Sequence, residues 1–359
     1  MKVGIVGLPN AGKSSLFNAL TRAGAEAANY PFTTIEPNVA VVPVADDRLE
    51  RIADILGSSE VIHDTVDFHD IAGLVAGAHR GEGLGNRFLT HIRETDAIVH
   101  VVRVHGDEGV VHPEGRVDPV ADIATVETEL VYADLEQAER RLERVEKTAR
   151  GGEKPAIAEE AWLREVIAAL QAGRPARTVP VPEAAAHGPA ALHALTAKPV
   201  LFVANVDEGS DEVPPAVAEH PAAHGARAVA VSARLEAELA ELDADEAAAM
   251  RAELGAEESG LETVIREAFA LLDLISYFTA GPGTEARARA IRRGTRARQA
   301  AGSVHTDMER GFVAAEVTPW EDLVRVGGYA AAREAALQRI EGRDYVVRDG
   351  DVVTFRFTP

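Results

Sequence analysis

The sequence predicts an α/β protein whose core is a doubly wound, mainly parallel sheet with helices on both faces. Three observations lead to this fold class. Apolar strand patterns alternate with helical patterns over residues 1–275, a glycine-rich loop separates the first strand from the first helix, and a long helical stretch interrupts the alternation. With 359 residues, the chain is long enough for two or three domains of about 150 residues each.

The predicted strands are short, apolar and rich in β-branched residues. They cover residues 2–7, 39–42, 65–70, 97–104, 199–205 and 228–232. Apolar residues at helical spacing follow the first strand over residues 12–20. The chain therefore begins as a strand, a glycine loop and a helix, and we expect the later strands to add to the same sheet.

A helical insertion is predicted over residues 120–197, because more than ninety residues separate two strands and a single crossover is far shorter. Its first helix carries apolar residues in steps of four and three, as in the seam of a coiled coil: Val131, Leu135, Ala138, Leu142, Val145 and Ala149. Gly151-Gly152 ends this helix, and a second one over residues 156–170 would return antiparallel. The two helices should pack on each other, and a docking arm for a partner is the alternative.

The last part of the chain is predicted to be a separate, β-rich unit. Residues 236–258 are acidic and rich in alanine, which indicates a solvated helix at the end of the first domain, and a buried helix follows at 261–274. Short strands are then predicted at 312–317, 345–347 and 352–357. We therefore divide the chain into residues 1–260, which include the insertion, and residues 276–359.

Composition narrows the class of protein. The chain is 46% hydrophobic and 26% charged, which is typical of a globular protein that folds unaided. It contains no cysteine, which excludes disulfides, a thiolate nucleophile and cysteine-bound metals. No stretch reaches about 18 consecutive apolar residues, and no signal-peptide cleavage site follows Met1. We therefore expect a cytoplasmic protein without membrane contact.

Charge is distributed unevenly along the chain. The net charge is −21, which argues against extensive coating of nucleic acid and gives no reason to expect DNA binding. Residues 276–359 nevertheless hold 13 Arg against 11 acidic residues. Within them, only Glu285 opposes a local cluster of Arg287, Arg289, Arg292, Arg293, Arg296 and Arg298. This cluster is our candidate for RNA contact, and a solvated helix face is the equally weighted alternative.

The strongest chemical signal is the glycine-rich loop. Gly7-Leu8-Pro9-Asn10-Ala11-Gly12-Lys13-Ser14 fits G-x-x-x-x-G-K-[ST] between a predicted strand and helix, which is the setting of a nucleotide phosphate loop. Backbone N–H groups and the helix N-terminus would cradle the phosphates, Lys13 would span the β- and γ-phosphates, and the Ser14 hydroxyl would ligate Mg²⁺. The predicted nucleotide contacts are Asn10, Ala11, Gly12, Lys13, Ser14 and Ser15.

Two further segments suit a nucleotide switch. Asp70-Ile71-Ala72-Gly73 follows a strand, so that Asp70 can hold Mg²⁺ through water and the Gly73 N–H can reach the γ-phosphate. Thr34, between the first helix and the second strand, is the candidate for completing the metal shell. Glycine recurs between residues 73 and 85, as in a segment that the γ-phosphate orders and hydrolysis releases.

Base recognition is expected at Asn205-Val206-Asp207-Glu208, at the carboxyl end of a strand, and at Ser232-Ala233 after the next. GTPases carry Asn-Lys-x-Asp at the first of these places, and its aspartate accepts two hydrogen bonds from guanine. Here Glu208 replaces the aspartate and Val206 replaces the lysine. A longer carboxylate cannot make the same two bonds without moving the base, so strict selection of guanine is not predicted.

Together these motifs resemble the YchF subfamily, or Obg-like ATPases, of the Obg-related P-loop NTPases. The resemblance includes Tyr30-Pro31-Phe32-Thr33-Thr34 and, in the tail, residues 277–281, 299–312 and 341–351. It implies a P-loop G-domain with a coiled-coil insertion and a C-terminal TGS domain of ubiquitin-like β-grasp fold. It also implies hydrolysis of ATP in preference to GTP and association with the ribosome or its large subunit.

The resemblance assigns roles to particular residues. Asn205 and Glu208 match the base-selecting residues of the family, while Val206 stands where the family usually has Met. Asn10 is similar to the asparagine with which some Obg relatives bind an activating K⁺.

The catalytic residue is the one that depends least on a local sequence motif. Leu74 occupies the place of the water-orienting glutamine of Ras-like GTPases and cannot form a hydrogen bond, so slow intrinsic hydrolysis is expected. The family is thought to use a histidine on a loop after the fourth strand, and His112 matches it. The alternative is an exposed loop histidine without a role.

The sequence thus predicts a monomeric, nucleotide-gated ATPase switch acting in translation. A GTP-hydrolysing ribosome-assembly factor and a non-catalytic, nucleotide-sensing RNA or ribosome adaptor are the two alternatives.

Overall fold

The computed structural model describes residues 1–26, 38–71, 84–107, 109–113, 115–223, 225–254 and 259–358. Its strands are β1 Lys2–Val6, β2 Val39–Val44, β3 Glu60–Ile62, β4 Asp64–Asp70, β5 Ala97–Arg103, β6 Val200–Asn205, β7 Arg227–Val231, β8 Leu274–Thr279, β9 Glu285–Arg292, β10 Phe312–Pro319, β11 Arg339–Glu341 and β12 Asp351–Phe357.

The helices are α1 Lys13–Glu26, α2 Asp47–Leu56, α3 Leu84–Arg93, α4 Pro119–Ala149, α5 Lys154–Gln171, α6 Gly188–Leu192, α7 Pro215–Ala223, α8 Ala233–Leu239, α9 Ala244–Glu253, α10 Gly260–Leu271, α11 Ala297–Val304, α12 Thr306–Arg310, α13 Trp320–Val326 and α14 Tyr329–Glu334. Among the described residues, no helix is both long and apolar enough to cross a membrane.

The chain folds as two compact units. The first contains Met1–Glu26, residues 38–42 and Asp67–Ala268, and the second contains Pro43–Val66 and Phe269–Pro359. Residues 43–66 thus belong with the C-terminal unit by their contacts, although the sequence analysis assigned them to the nucleotide-binding domain. The difference arises because β3 adds to the sheet of the second unit by pairing with β9.

The first unit is built on the predicted parallel sheet. Its strand order is β2-β4-β1-β5-β6-β7, and β1 pairs in parallel with both β4 and β5. The strands β5 and β6 are buried along their whole length, as their continuous apolar sequences require. The strand β1 therefore lies between β4 and β5, and the loop after β1 is at a switch point of the sheet. Doubly wound proteins bind ligands at such points.

The predicted helical hairpin is confirmed. Asp118 caps α4 by accepting a hydrogen bond from the Ala121 N–H at 3.1 Å, and Pro119 occupies the first turn. The seam residues Ala138, Val145 and Ala149 are buried against α5, which contributes Trp162, Leu163, Val166 and Leu170. The hairpin is therefore held by its own apolar seam.

A buried carboxylate fixes the hairpin to its return segment. The Asp134 side chain on α4 accepts hydrogen bonds from the Leu195 N–H at 2.8 Å and from the Thr196 N–H and hydroxyl at 2.7 Å each. Arg93 lies 3.8 Å from the same carboxylate. Burial raises the pKa of Asp134, while these partners oppose that rise.

The prediction of one solvated helix over residues 236–258 is wrong. Its described part, residues 236–254, contains the end of α8 and all of α9, with Asp243 capping α9. Glu236 is buried, and its carboxylate accepts hydrogen bonds from the Gly260 N–H at 2.7 Å and from Ser259 at 3.1 Å. These long-range bonds leave no pattern in the local sequence.

The second unit is the expected β-rich module, with strand order β11-β10-β12-β8-β9-β3. The strands β8 and β9 were not predicted, and residues 345–347 form only a single bridge between Val346 and Arg296. The strand β9 alternates Arg with Ala, so that Ala286 and Ala288 face the core while Arg287 lies on the opposite face. The alternative of a solvated helix face for the arginine cluster is therefore wrong for Arg287, Arg289 and Arg292, which lie on this strand.

Replacement of Asp134 by Asn should destabilise the first unit by about 1–3 kcal/mol, because an amide nitrogen would face backbone and hydroxyl donors. Thermal and urea unfolding measure this change. Glu143→Gln, at an exposed position of the same helix, is the matched control and should change stability by less than about 0.5 kcal/mol. Equal stability of the two variants would contradict the structural role of Asp134.

Candidate nucleotide-binding site

The loop after β1 has the backbone geometry of a phosphate loop. Gly7 and Gly12 have φ of +153° and +99°, and Asn10 has φ of +62°. A Cβ at Gly12 would lie 2.2 Å from the Asn205 Nδ2, and one at Gly7 would lie 2.4 Å from the Val101 carbonyl oxygen. Glycine is therefore required at both places for conformation and for close approach.

Lys13 begins α1 and is buried within this loop. Its ammonium donates a hydrogen bond to the Leu8 carbonyl at 2.7 Å. Burial lowers the pKa of Lys13 to about 8, and the nearby Asp70 carboxylate opposes the fall. Burial also raises the pKa of Asp70, at the end of β4, and Lys13 opposes that rise. The two predicted residues therefore form an electrostatic pair beside the loop.

Asn205 joins the two ends of the site. Its Nδ2 donates to the Ala11 carbonyl at 3.0 Å, and its Oδ1 accepts a hydrogen bond from the Ala233 N–H at 3.0 Å. Ser232 caps α8 by accepting from the Leu235 N–H at 3.4 Å. We call this arrangement of Asn205 with Ala11 and Ala233 the Asn205 bridge. The sequence placed Asn205 at the base, whereas the structure uses its amide to connect backbone segments.

The converging segments enclose a cleft of about 650 Å³. It is lined by most of the predicted contacts: Asn10, Gly12, Lys13, Ser14, Ser15, Asn205, Val206, Glu208 and Ser232. Asp207, within the predicted base-recognition segment, also lines it, and residues that the sequence analysis missed complete the lining: His105, Asp107, Val110 and Arg234. Its size is that of sites for small ligands and cofactors.

The missed wall of the cleft is organised by Arg103. This buried side chain donates to the carbonyl oxygens of His105 at 3.3 Å, Val110 at 2.8 Å and Asp107 at 2.6 Å. Its place at the end of an otherwise apolar strand was the signal in the sequence, because a buried guanidinium needs several acceptors. Burial and the Arg103 charge lower the pKa of His105.

His112 is not brought into the cleft. It is buried, and its Nε2 lies 2.9 Å from Asp122 Oδ2 on the first turn of α4. The alternative described His112 as an exposed loop histidine, and the structure contradicts that exposure. The phosphate loop contacts the neighbouring residue instead, because the Asn10 Nδ2 donates to the Val111 carbonyl at 2.9 Å.

The donor set suits a hard divalent cation. Ser14 offers a hydroxyl and Asp70 a carboxylate, and Mg²⁺ prefers such oxygen ligands together with phosphates and water. Within the part of the chain that the structure describes, no group of three or more His, Asp or Glu could hold a metal unaided. The predicted ligand Thr34, the γ-phosphate contact Gly73 and Leu74 lie outside the described residues.

Comparison with known families matches both parts of the chain. Residues 2–143 match the family MMR_HSR1, described as "50S ribosome-binding GTPase". Residues 274–358 match the family YchF-GTPase_C, described as "Protein of unknown function (DUF933)".

Similar proteins and structures extend over the whole chain. "Ribosome-binding ATPase YchF" of Bacillus subtilis is 46% identical, and that of Haemophilus influenzae is 48% identical, each over 99% of both chains. The structure of the Schizosaccharomyces pombe YchF GTPase is 35% identical with a TM-score of 0.89, covering 99% of this chain and 97% of that one. A GTP binding protein from Pyrococcus horikoshii, at 22% identity and a TM-score of 0.64 over 100% of both chains, shares the fold. Since relatives nearly half identical extend along its full length, this chain belongs to the YchF family.

Proposed function

We propose that this chain is a ribosome-associated, Mg²⁺-dependent nucleotide hydrolase that prefers ATP to GTP and acts as a switch in translation. The observation that carries the proposal is the phosphate loop and cleft in a chain 46–48% identical, end to end, to proteins named ribosome-binding ATPase. It would act as a monomer in the cytoplasm, where ribosomes are found. Residues 1–260 would form its nucleotide-binding domain and residues 276–359 its TGS domain, with 43–66 packed on the latter.

The phosphates would bind at the start of α1. Lys13 would exchange the Leu8 carbonyl for β- and γ-phosphate oxygens, while the N–H groups of residues 10–15 donate to the phosphates. Ser14, Asp70 and Thr34 would hold Mg²⁺, which neutralises phosphate charge when bound. The Gly73 N–H would donate to the γ-phosphate and stabilise the charge that develops during attack by water.

The base would occupy the end of the cleft formed by Val206, Glu208 and Ser232. Asn205 would shape this end through its bridge, and Glu208 would supply the carboxylate that contacts the base. GTP hydrolysis in ribosome assembly is the second candidate function. It is favoured by the GTPase named in the matching family and in the Schizosaccharomyces pombe structure.

Ribosomal RNA would contact the arginine cluster of residues 287–298. Arg293 pairs with Asp273 at 3.0 Å and Arg296 pairs with Asp344 at 2.6 Å, so local acidic partners exceed the single Glu285 that the sequence suggested. Exposed ion pairs of this kind contribute at most about 1 kcal/mol, so that phosphates can replace the carboxylates.

An activating K⁺ would use the side-chain oxygen of Asn10, whose Nδ2 already donates to Val111.

The affinity for ATP and GTP analogues tests the function directly. We expect tighter binding of ATP by the wild type and a shift toward GTP in Glu208→Asp, since the shorter carboxylate restores the geometry that guanine needs. Ribosomes should increase turnover and co-sediment with the protein, less so as salt rises. Tighter binding of GTP by the wild type would select the second candidate, and absence of turnover with ribosomes would refute a hydrolase.

Nucleotide affinity should fall as pH rises through about 8. The pKa of Lys13 is lowered to about 8, so the free protein loses the cation above this pH, and only the protonated form pairs with phosphate. Titration with ADP between about pH 7 and about pH 9.5 should show weakening that approaches tenfold per pH unit at the alkaline end. Lys13→Arg, which stays charged, should give a flatter profile. A flat wild-type profile would show that Lys13 remains protonated.

His112→Ala tests the catalytic role implied by the family. If His112 leaves Asp122 to orient water, the variant should lower kcat by about tenfold or more and leave the Kd for nucleotide unchanged, because His112 does not line the cleft. His91→Ala, at an exposed position of α3, is the control. Turnover equal to that of the control would remove His112 from the mechanism.

A further inference from the structure

The base-facing carboxylate of the cleft already has a cationic partner. Arg234, in the first turn of α8, places its Nε 3.3 Å from Glu208 Oε1. The same nitrogen lies 3.1 Å from Glu238 Oε1, one turn further along the helix. Asp107, on the opposite loop, adds to the negative field around the guanidinium. Arg234 therefore borders the cleft with its charge shared among carboxylates.

We propose that Arg234 is a specificity-determining residue for the nucleotide base. Resting on the function proposed above, the inference assigns to this side chain the control of how much of the Glu208 carboxylate a base can use. A carboxylate recognises guanine by accepting two hydrogen bonds, from N1–H and from the exocyclic amine. The Arg234 charge lies 3.3 Å from Glu208 Oε1 and competes with base N–H groups for that oxygen, which penalises guanine. Adenine has no N1–H and loses less.

The guanidinium itself does not replace this recognition. A free arginine is a good ligand for the O6 and N7 acceptors of guanine. The Arg234 Nε instead donates a hydrogen bond to Glu238 Oε1 at 3.1 Å and lies beside Glu208, and this i,i+4 contact holds the side chain along α8. The ion pair thus acts against guanine from both of its partners.

The size of the effect follows from exposure. The side chains of Arg234 and Glu208 are 71% and 48% exposed, so solvent screens the pair. Removal of such a pair changes an equilibrium about two- to fivefold. Arg234 therefore adjusts the preference between bases, whereas the length of the Glu208 side chain sets its direction.

The test compares the Kd values of ADP and GDP for wild type and Arg234→Ala. We expect the ratio of the GDP Kd to the ADP Kd to fall about two- to fivefold in the variant, mainly through tighter GDP binding. Arg227→Ala is the matched control. Arg227 lies on β7 outside the cleft lining, is also 71% exposed, and pairs with Glu267 at 2.8 Å. Its ratio should equal that of the wild type.

A double-mutant cycle identifies the route of the effect. In a Glu208→Gln background, Arg234→Ala should leave the ratio unchanged, because the carboxylate that it screens is gone. An unchanged ratio in the single variant, equal weakening of both nucleotides, or a shift that persists in the Glu208→Gln background would each overturn this inference alone. A wild type that binds neither nucleotide would overturn the proposed function and this inference with it.

Discussion

The site depends on one buried amide. Asn205 stands at the end of β6 and bonds the phosphate loop at Ala11 and the start of α8 at Ala233. In the parallel pairing of β6 with β7, Asn205 lies opposite Val231, two residues before Ala233. The Asn205 side chain can therefore reach the start of α8. Each buried hydrogen bond is worth about 1 kcal/mol net, and a broken one costs more because its partner stays buried. The close approach also explains why Gly12 cannot carry a side chain.

A second set of contacts connects the phosphate loop to the helical insertion. Asn10 holds Val111, and the next residue, His112, is paired with Asp122 on α4. Arg103 fixes the backbone just before them, at the carbonyl oxygens of His105, Asp107 and Val110. Movement of Val111 and His112 must therefore break the contact with the phosphate loop, the contact with α4, or both. The helix α4 has 31 residues and, at about 1.5 Å per residue, spans about 45 Å.

Local patterns made the sheet, the hairpin and the phosphate loop predictable. Apolar runs such as β5 and β6, the α4 seam and the Gly-x-x-x-x-Gly-Lys-Ser motif each carry their signal within a few turns of chain. Features that depend on long-range pairing were not predictable. The strand β9 alternates Arg with Ala and joins β8 and β3, while Glu236 is buried by partners more than twenty residues away. The Asn205 bridge depends on three separate segments of the chain and the Arg234 pair on two, so neither could be predicted from a local pattern.

Local electrostatics also explain how an acidic protein can hold a polyanionic ligand. With a net charge of −21, the long-range field does not favour phosphate, so affinity must come from groups inside the cleft. The phosphate end offers one buried ammonium with Asp70 beside it, together with the N-terminus of α1. The end of the cleft that we propose for the base instead holds carboxylates on both walls, at Asp107 and Glu208, with Arg234 near them. In the orientation that we propose, with its phosphates at Lys13, a nucleotide would meet opposite charge at one end and acceptors for base N–H groups at the other, which would fix its orientation in the cleft.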